Sequence, residues 1–292
     1  MDPDDDDMSK MWLPEPPIWI RSILLVLTVA SYAPQTRRFH RKKTTDRVSS
    51  RYILWNLIRA TEPVGIFAFG LYLIPKLDDG VIFLHFPPSA GDHFTLWHCV
   101  VVAFMSLILF MQVVIYTKTW GKRIKLVLSY IIFLLVSIAP PIYQAICPLD
   151  VENNRDQDIL LMLYYAPHSM LIYFILAGLS VLGIFIQARG ALAAPLPNAL
   201  SLQGLAAQAV VYALLTVSWM FSLTFSIPWT FYFWFMVNRW IIFDSLVFSL
   251  GQALLLGLAL RRRRAGKAAG EVSPEFGGDR EREPLLGRAD AE

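Results

Sequence analysis

The chain has 292 residues, of which 55% are hydrophobic, 13% aromatic and only 17% charged, with a mean hydropathy of +0.48. Soluble domains usually carry about 25% charged residues, so this composition excludes an ordinary water-soluble globule and points to an integral membrane protein. The net charge of +3 arises from basic residues in short loops between apolar runs rather than along one soluble face, which argues against nucleic acid as a partner.

The chain opens on MDPDDDDMSK, an acidic segment without the basic n-region or small-residue cleavage site of a signal peptide, so residues 1–17 are expected to be retained. Crossing the hydrocarbon core takes about 20 apolar residues as a helix. Spans are therefore expected over Ile18–Gln35, Ile53–Ile74, Thr95–Tyr116, Ile124–Ile146, Ile159–Ile186, Leu205–Phe225 and Arg239–Leu260. The Trp- and Phe-rich segment Ile227–Trp240 suits an interfacial aromatic belt.

The loop after span one carries Arg37, Arg38, Arg41, Lys42, Lys43, Arg47 and Arg51. Asp78, Asp79 and Asp92 outnumber Lys76 in the second loop, and the third holds Lys118, Lys122, Arg123 and Lys125. Acidic residues return in the fourth with Asp150, Glu152, Asp156 and Asp158 against Arg155; the fifth has Arg189 alone, and the last span leads into Arg261–Arg264. Because Lys and Arg bias short loops toward the cytoplasm, this alternation implies an outer or lumenal N-terminus and a cytoplasmic C-terminus.

Polar groups inside the spans follow in order. Pro34 lacks an N–H and its ring clashes with the carbonyl one turn back. Either it ends span one near the interface, or it breaks the helix and Gln35 bonds the freed backbone groups. Asn56, Arg59 and Glu62 lie three apart in span two: either Arg59 and Glu62 form an intrahelical ion pair, or the three line a solute path with Glu62 able to take a proton. Cys99 and Cys147 fall on the same outer side, as a disulfide or as two unpaired thiols. Pro140-Pro141 is expected to kink span four, and His168, in YYAPHSM after Tyr165, is either a structural histidine or one that titrates in an acidic lumen. Gln208 and Gln252 are hydrogen-bonding groups of spans six and seven. Asp244 lies five residues past Arg239, about 7.5 Å along a helix. It is either a helix-start carboxylate in the headgroup region or an interior group compensated by a proton or a cationic solute. No hydrolase triad, zinc cluster or phosphate loop is present, so neither an enzyme nor a cofactor or metal is expected.

Gln35 is followed 14 residues later by Ser49, and Gln187 is followed 14 residues later by Ser201, an echo at an offset of 152 residues. The same offset sets Arg37 opposite Arg189 and Asn56 opposite Gln208. Spans one to three and five to seven thus read as two parallel repeats, with span four restoring orientation between them.

On these residues the stretch SYAPQTRRFHRKKTTDRVSSRY, with Pro34-Gln35, a basic loop and Ser49-Ser50, resembles the PQ-loop repeat of the PQ-loop and KDEL-receptor superfamily. SRYILWNLIRATE is similar to a fungal branch of PQ-loop proteins, whereas the second repeat reads FIQARGALAAPLPNALSLQGLAAQ, with Ile186 in place of the proline. The resemblance implies an all-α integral membrane fold of seven transmembrane helices arranged 3+1+3. Residues 18–116 would form a first triple-helix repeat, 117–158 a linker helix with its loops, 159–260 a second, degenerate repeat, and 261–292 a disordered cytoplasmic tail. It further implies alternating-access transport of a small polar solute, a cationic amino acid being one candidate, across a vacuolar or lysosomal-type membrane. Pro34, Gln35 and Gln187 would then act as hinges, and Asn56, Arg59, Glu62, Gln208 and Asp244 as solute or proton contacts. Relatives of this kind include amino-acid and sugar transporters and a receptor that does not transport, so a trafficking or scaffold role stays open. A G-protein-coupled receptor shares the seven-span outline, but span three ends VVIYTKTWGKR without Asp-Arg-Tyr and span seven lacks Asn-Pro-x-x-Tyr.

Arg261–Arg264 suit anchoring to anionic lipid. Beyond them, Glu281-Arg282-Glu283-Pro284-Leu285-Leu286 matches the acidic dileucine signal read by clathrin adaptors. Replacing Leu285 and Leu286 together by Ala is expected to redirect the protein from its internal membrane to the cell surface in fluorescence microscopy; an unchanged distribution removes the sorting role.

Overall fold

The structure, a computed structural model, describes residues 10–11, 16–45, 48–73, 89–146, 163–164, 167–193, 201–222, 225–226 and 240–268. Helices dominate: α1 (Ile18–Lys42), α2 (Ser50–Leu73), α3 (Ala90–Tyr116), α4 (Trp120–Ser137), α5 (Ala139–Ile146), α6 (Tyr173–Ala193), α7 (Leu202–Ser222) and α8 (Trp240–Ala268). A π-helical turn, His168–Ile172, leads into α6, and Lys10–Met11 pairs antiparallel with Phe225–Ser226 in a two-residue ladder.

Five helices are long and apolar enough to cross a membrane, within Ile18–Lys42, Ala90–Tyr116, Tyr173–Ala193, Leu202–Met220 and Ile241–Ala265. Arg59 and Glu62 make α2 more polar, and Lys122, Arg123 and Lys125 do the same for the start of α4. Burial is inverted relative to a soluble protein: Phe104, Leu135, Phe185 and Leu250 face outward, while Thr28, Gln35, Arg59, Glu62, Gln187, Asp244 and Gln252 are buried. Hydrocarbon outside accepts the apolar side chains but offers polar groups nothing, so the polar groups gather between helices.

Helix α3 packs on both α1 and α2, and α8 packs on both α6 and α7. Between these triplets α1 meets α7 and α2 meets α6, while α4 and α5 lean on α2. The pattern recurs at the offset of 152: Ser50 and Leu202 open α2 and α7. Likewise Thr28 and Ser180 each donate to the carbonyl one turn back, at 2.7 Å to Leu24 and 2.9 Å to Leu176.

Two expectations about local structure need correction. Helix α1 does not stop at Pro34-Gln35 but runs on to Lys42, ending where Lys43 adopts φ 47° and donates its N–H to Phe39 O. One proline removes only the bond to the Ala30 carbonyl, on an exposed flank, and the helix resumes beyond it. Asp92, read from the sequence as a loop acid, belongs to the first turn of α3. Its carboxylate accepts from Ser89 N at 2.9 Å while Ser89 Oγ accepts from Asp92 N at 3.1 Å, a reciprocal helix cap. The fourth apolar run divides into α4 and α5 at Ile138, beside Pro140-Pro141, because prolines at 140 and 141 supply no N–H to the carbonyls of Val136 and Ser137.

Close approach of α8 to α6 depends on Gly251, where a Cβ would sit 2.8 Å from Ile184 Cγ1, whereas Gly178 on α6 has open space beside it. Gly251→Ala is expected to cost about 1–3 kcal/mol through overpacking, and Gly178→Ala to be neutral or stabilising by up to about 1 kcal/mol. Thermal unfolding in detergent checks this; equal shifts for the two variants would contradict the packing.

Candidate functional site

Ser49 and Ser201 precede α2 and α7, whose first N–H groups have no partner within their own helices. Each serine hydroxyl accepts from the third residue on, Ser49 from Tyr52 N at 3.4 Å and Ser201 from Gly204 N at 3.2 Å. Their own N–H groups are satisfied across the molecule: Ser201 N donates to Gln35 Oε1 at 2.8 Å, and Ser49 N donates to Gln187 Oε1 at 2.7 Å. The two bonds form one clasp made twice, with the amide of each triplet's first helix closing the second helix of the other. A neutral amide suits the position because both glutamines are buried, where an ion would carry a desolvation cost. Ile186 in place of the second proline leaves the Gln187 bond intact.

Inside the clasp lies a cavity of about 450 Å³ including its open mouth, lined by Gln35, Tyr52, Asn56, Ser106, Gln208 and Gln252 beside Phe248. Every polar group in that lining is neutral. Tyr32 is also in the lining, its hydroxyl sharing hydrogen bonds with Tyr212 Oη at 2.8 Å and Ser106 Oγ at 3.3 Å. Phe248 packs against Tyr212 at 4.5 Å between ring centroids and carries the Arg59 guanidinium 4.3 Å above its face. Gln252 Nε2 donates to Tyr52 Oη at 2.6 Å.

Beyond this wall a second cavity, about 430 Å³ including its open side, is lined by Arg59, Asp244, Ser245, Cys99 and His98. A third, about 280 Å³ including its open side, is lined by Arg21 and Thr95 and shares His98, Leu215 and Trp219 with the second. His98 and Trp219 meet edge to face at 6.5 Å, and His98 Nε2 lies 3.2 Å from Thr28 Oγ1. Three chambers thus lie in series behind two side-chain walls.

Charge is paired across helices rather than along them. Arg59 Nη1 lies 2.6 Å from Asp244 Oδ2 and 3.3 Å from the Asp244 carbonyl, which corrects both the intrahelical Arg59–Glu62 pair and an Asp244 compensated only by a proton or solute. Asp244 is buried and lines the second chamber, close to the start of α8 at Trp240. Glu62 lines none of the three chambers; its Oε1 pairs with His168 Nδ1 at 2.6 Å. Asn56 and Gln208, matched by the offset, do share the first chamber. Cys99 is a free, buried thiol. Cys147, Tyr165, Arg239, Glu281, Leu285 and Leu286 lie outside the described residues. Sequence reasoning missed Tyr32, Tyr52, Tyr212 and Phe248, because an aromatic ring in an apolar run looks like ordinary core.

Among the described residues no group of three His, Cys, Asp or Glu side chains could hold a metal ion. No family model matches the chain, and neither a curated protein nor a solved structure matches it.

Removing one partner of a buried ion pair strands the other charge, at a cost of about 3–5 kcal/mol, whereas an apolar replacement of both is often near neutral. Arg59→Met and Asp244→Leu are each expected to destabilise by that amount in detergent unfolding, and the double variant by much less than their sum. Additive losses would mean that the two side chains do not interact.

Proposed function

We propose that the chain is a seven-span transporter of a small polar solute, with α1–α3 and α6–α8 as two parallel triplets, α4–α5 as their linker, and alternating access as its mechanism. The observation that carries this reading is the reciprocal clasp of Gln35 with Ser201 and Gln187 with Ser49, with Gln35 also lining the cavity that holds Asn56 and Gln208. Each such bond contributes a net of about 0.5–1.5 kcal/mol, small enough to break and re-form as the triplets rock. Resemblance of the first repeat to PQ-loop proteins supports the same architecture, and the intact Gln187 bond supports a working second repeat.

The chambers offer binding groups. Among the described residues Gln252 Oε1 and Arg59 Nε have no hydrogen-bond partner, so both are free for a solute entering from either side. Because Arg59 and Asp244 neutralise each other, a net-neutral polar solute fits without further change. A cationic amino acid would have to draw Asp244 away from Arg59, and Asp244 is then also the axial group that would exchange a proton. Arg37, Arg41, Arg51, Arg189 and Arg261–Arg264 lie on the helices near the clasp, which supports a cytoplasmic clasp and an outer or lumenal N-terminus. With the dileucine signal, this favours a vacuolar or lysosomal-type membrane.

The test is uptake by liposomes containing the purified protein, over a panel of neutral and cationic amino acids and sugars, with and without a pH gradient. Saturable uptake of at least one solute is expected, with a drop of about tenfold in Gln208→Ala from lost hydrogen bonding. Gln35→Ala and Gln187→Ala are expected to slow it to similar extents, because they remove the same bond from opposite triplets. Uptake no greater than in protein-free vesicles for every solute overturns transport.

A further inference from the structure

We propose that the first chamber binds an uncharged solute bearing a hydroxyl or amide donor, and that Gln252 Oε1 is the acceptor for that donor. This rests on the reading of the chamber as part of a solute path and names the chemistry the chamber selects.

Gln252 has one end of its amide in use and the other left over. Its Nε2 donates to Tyr52 Oη at 2.6 Å and so ties α8 to α2. Its Oε1 has no hydrogen-bond partner, although the side chain is 0% exposed and lines the cavity. A tie between helices needs only the nitrogen. A buried acceptor without a donor is costly and uncommon, and here the cavity is where a donor can enter.

The helices on either side keep that place open. Tyr52, Asn56 and Arg59 follow one another at helical spacing along α2, as do Asp244, Phe248 and Gln252 along α8. The Tyr52–Gln252 bond and the Arg59–Asp244 pair, each at 2.6 Å, form two rungs between these helices. They stand about 10 Å apart along α2 at a rise of 1.5 Å per residue. Between them Asn56 and Phe248 both line the cavity, so the middle of the ladder is free to take a solute. Asn56 of α2 and Gln208 of α7 each bring a carbonyl and an amino group, and Ser106 of α3 brings a hydroxyl. Amides and hydroxyls both donate and accept, which suits a solute made of the same kinds of group.

Charge decides what is excluded. Arg59 and Asp244 belong to the lining of the second chamber and neutralise each other, which leaves the first chamber with neutral polar groups alone. A cation or an anion placed there would lose its hydration without meeting a counter-charge, at far greater cost than an uncharged group whose hydrogen bonds are replaced. A zwitterion would bring two such charges. The free oxygen of Gln252 adds a direction, because it accepts and the solute must donate. An uncharged polyol and an uncharged amide share that chemistry.

Binding of small probes to the purified full-length protein in detergent, read from thermal unfolding over a concentration series, tests this without any flux measurement. Probes on one core separate charge from shape. At about pH 6, N-acetylalaninamide is uncharged, alaninamide a cation, N-acetylalanine an anion and alanine a zwitterion, while xylitol represents the polyols. Saturable stabilisation by xylitol, by N-acetylalaninamide or by both is expected, with each charged probe at least tenfold weaker; xylitol alone assigns a polyol, and N-acetylalaninamide alone an amide. Gln252→Leu is expected to weaken the bound uncharged probe about tenfold. Gln252→Glu, which keeps an oxygen but charges it, is expected to raise alaninamide affinity at least as much. If neither variant folds, the ranking of probes on the wild type still decides. No saturable binding of either uncharged probe, a charged probe within tenfold of the better uncharged one, or a folded variant that binds as the wild type does overturns the proposal. Binding of an uncharged probe without uptake in liposomes keeps this site and removes transport, whereas uptake confined to charged solutes keeps transport and removes this site.

Discussion

A polar side chain inside this bundle has only protein to bond with, because the lipid outside offers it no partner. The four groups of the clasp meet that demand with the fewest parts: two side-chain amides and the two backbone N–H groups that begin α2 and α7. Their bonds fix how deep each second helix sits relative to the opposite first helix. That depth in turn sets which residues of α2 and α7 face the axis, so Asn56 and Gln208 arrive at one chamber because Ser49 and Ser201 are held where they are.

The same demand explains the walls between chambers. Tyrosine hydroxyls at Tyr32, Tyr52 and Tyr212 are joined to one another or to amide and serine groups, while their rings pack as apolar surface. Such a wall presents hydroxyls and apolar ring faces together. Arg59 is held in three ways, by Asp244 Oδ2, by the Asp244 carbonyl and by the face of Phe248, which lets a full charge remain buried at the centre of an apolar fold.

Much of this was legible in the sequence and some was not, for identifiable reasons. Gln35, Ser49, Gln187 and Ser201 were visible because equal spacing recurred at a fixed offset, and a repeated local arrangement leaves a linear trace. The direction of the amide bonds left none, because spacing along a helix does not say which distant helix lies opposite. Arg59 had a local competitor in Glu62 at helical spacing, worth about 0.2–0.5 kcal/mol on an exposed helix. Burial changes that comparison, since each charge gains more from a partner held at fixed distance by packing, and Asp244 and His168 take those places. Pro34 marked a helix end by rule, yet one missing bond on an outward flank is too small a defect to stop a helix whose other face is packed.

That continuation has a mechanical side. Helix α1 extends seven residues past Gln35, from Thr36 to Lys42, a rigid arm of about 10 Å at the helical rise of 1.5 Å per residue. Arg37, Arg38, Arg41 and Lys42 ride on this arm as fixed charges rather than on a slack loop. Any movement of α1 therefore carries these four charges together, as one rigid set in fixed register with Gln35.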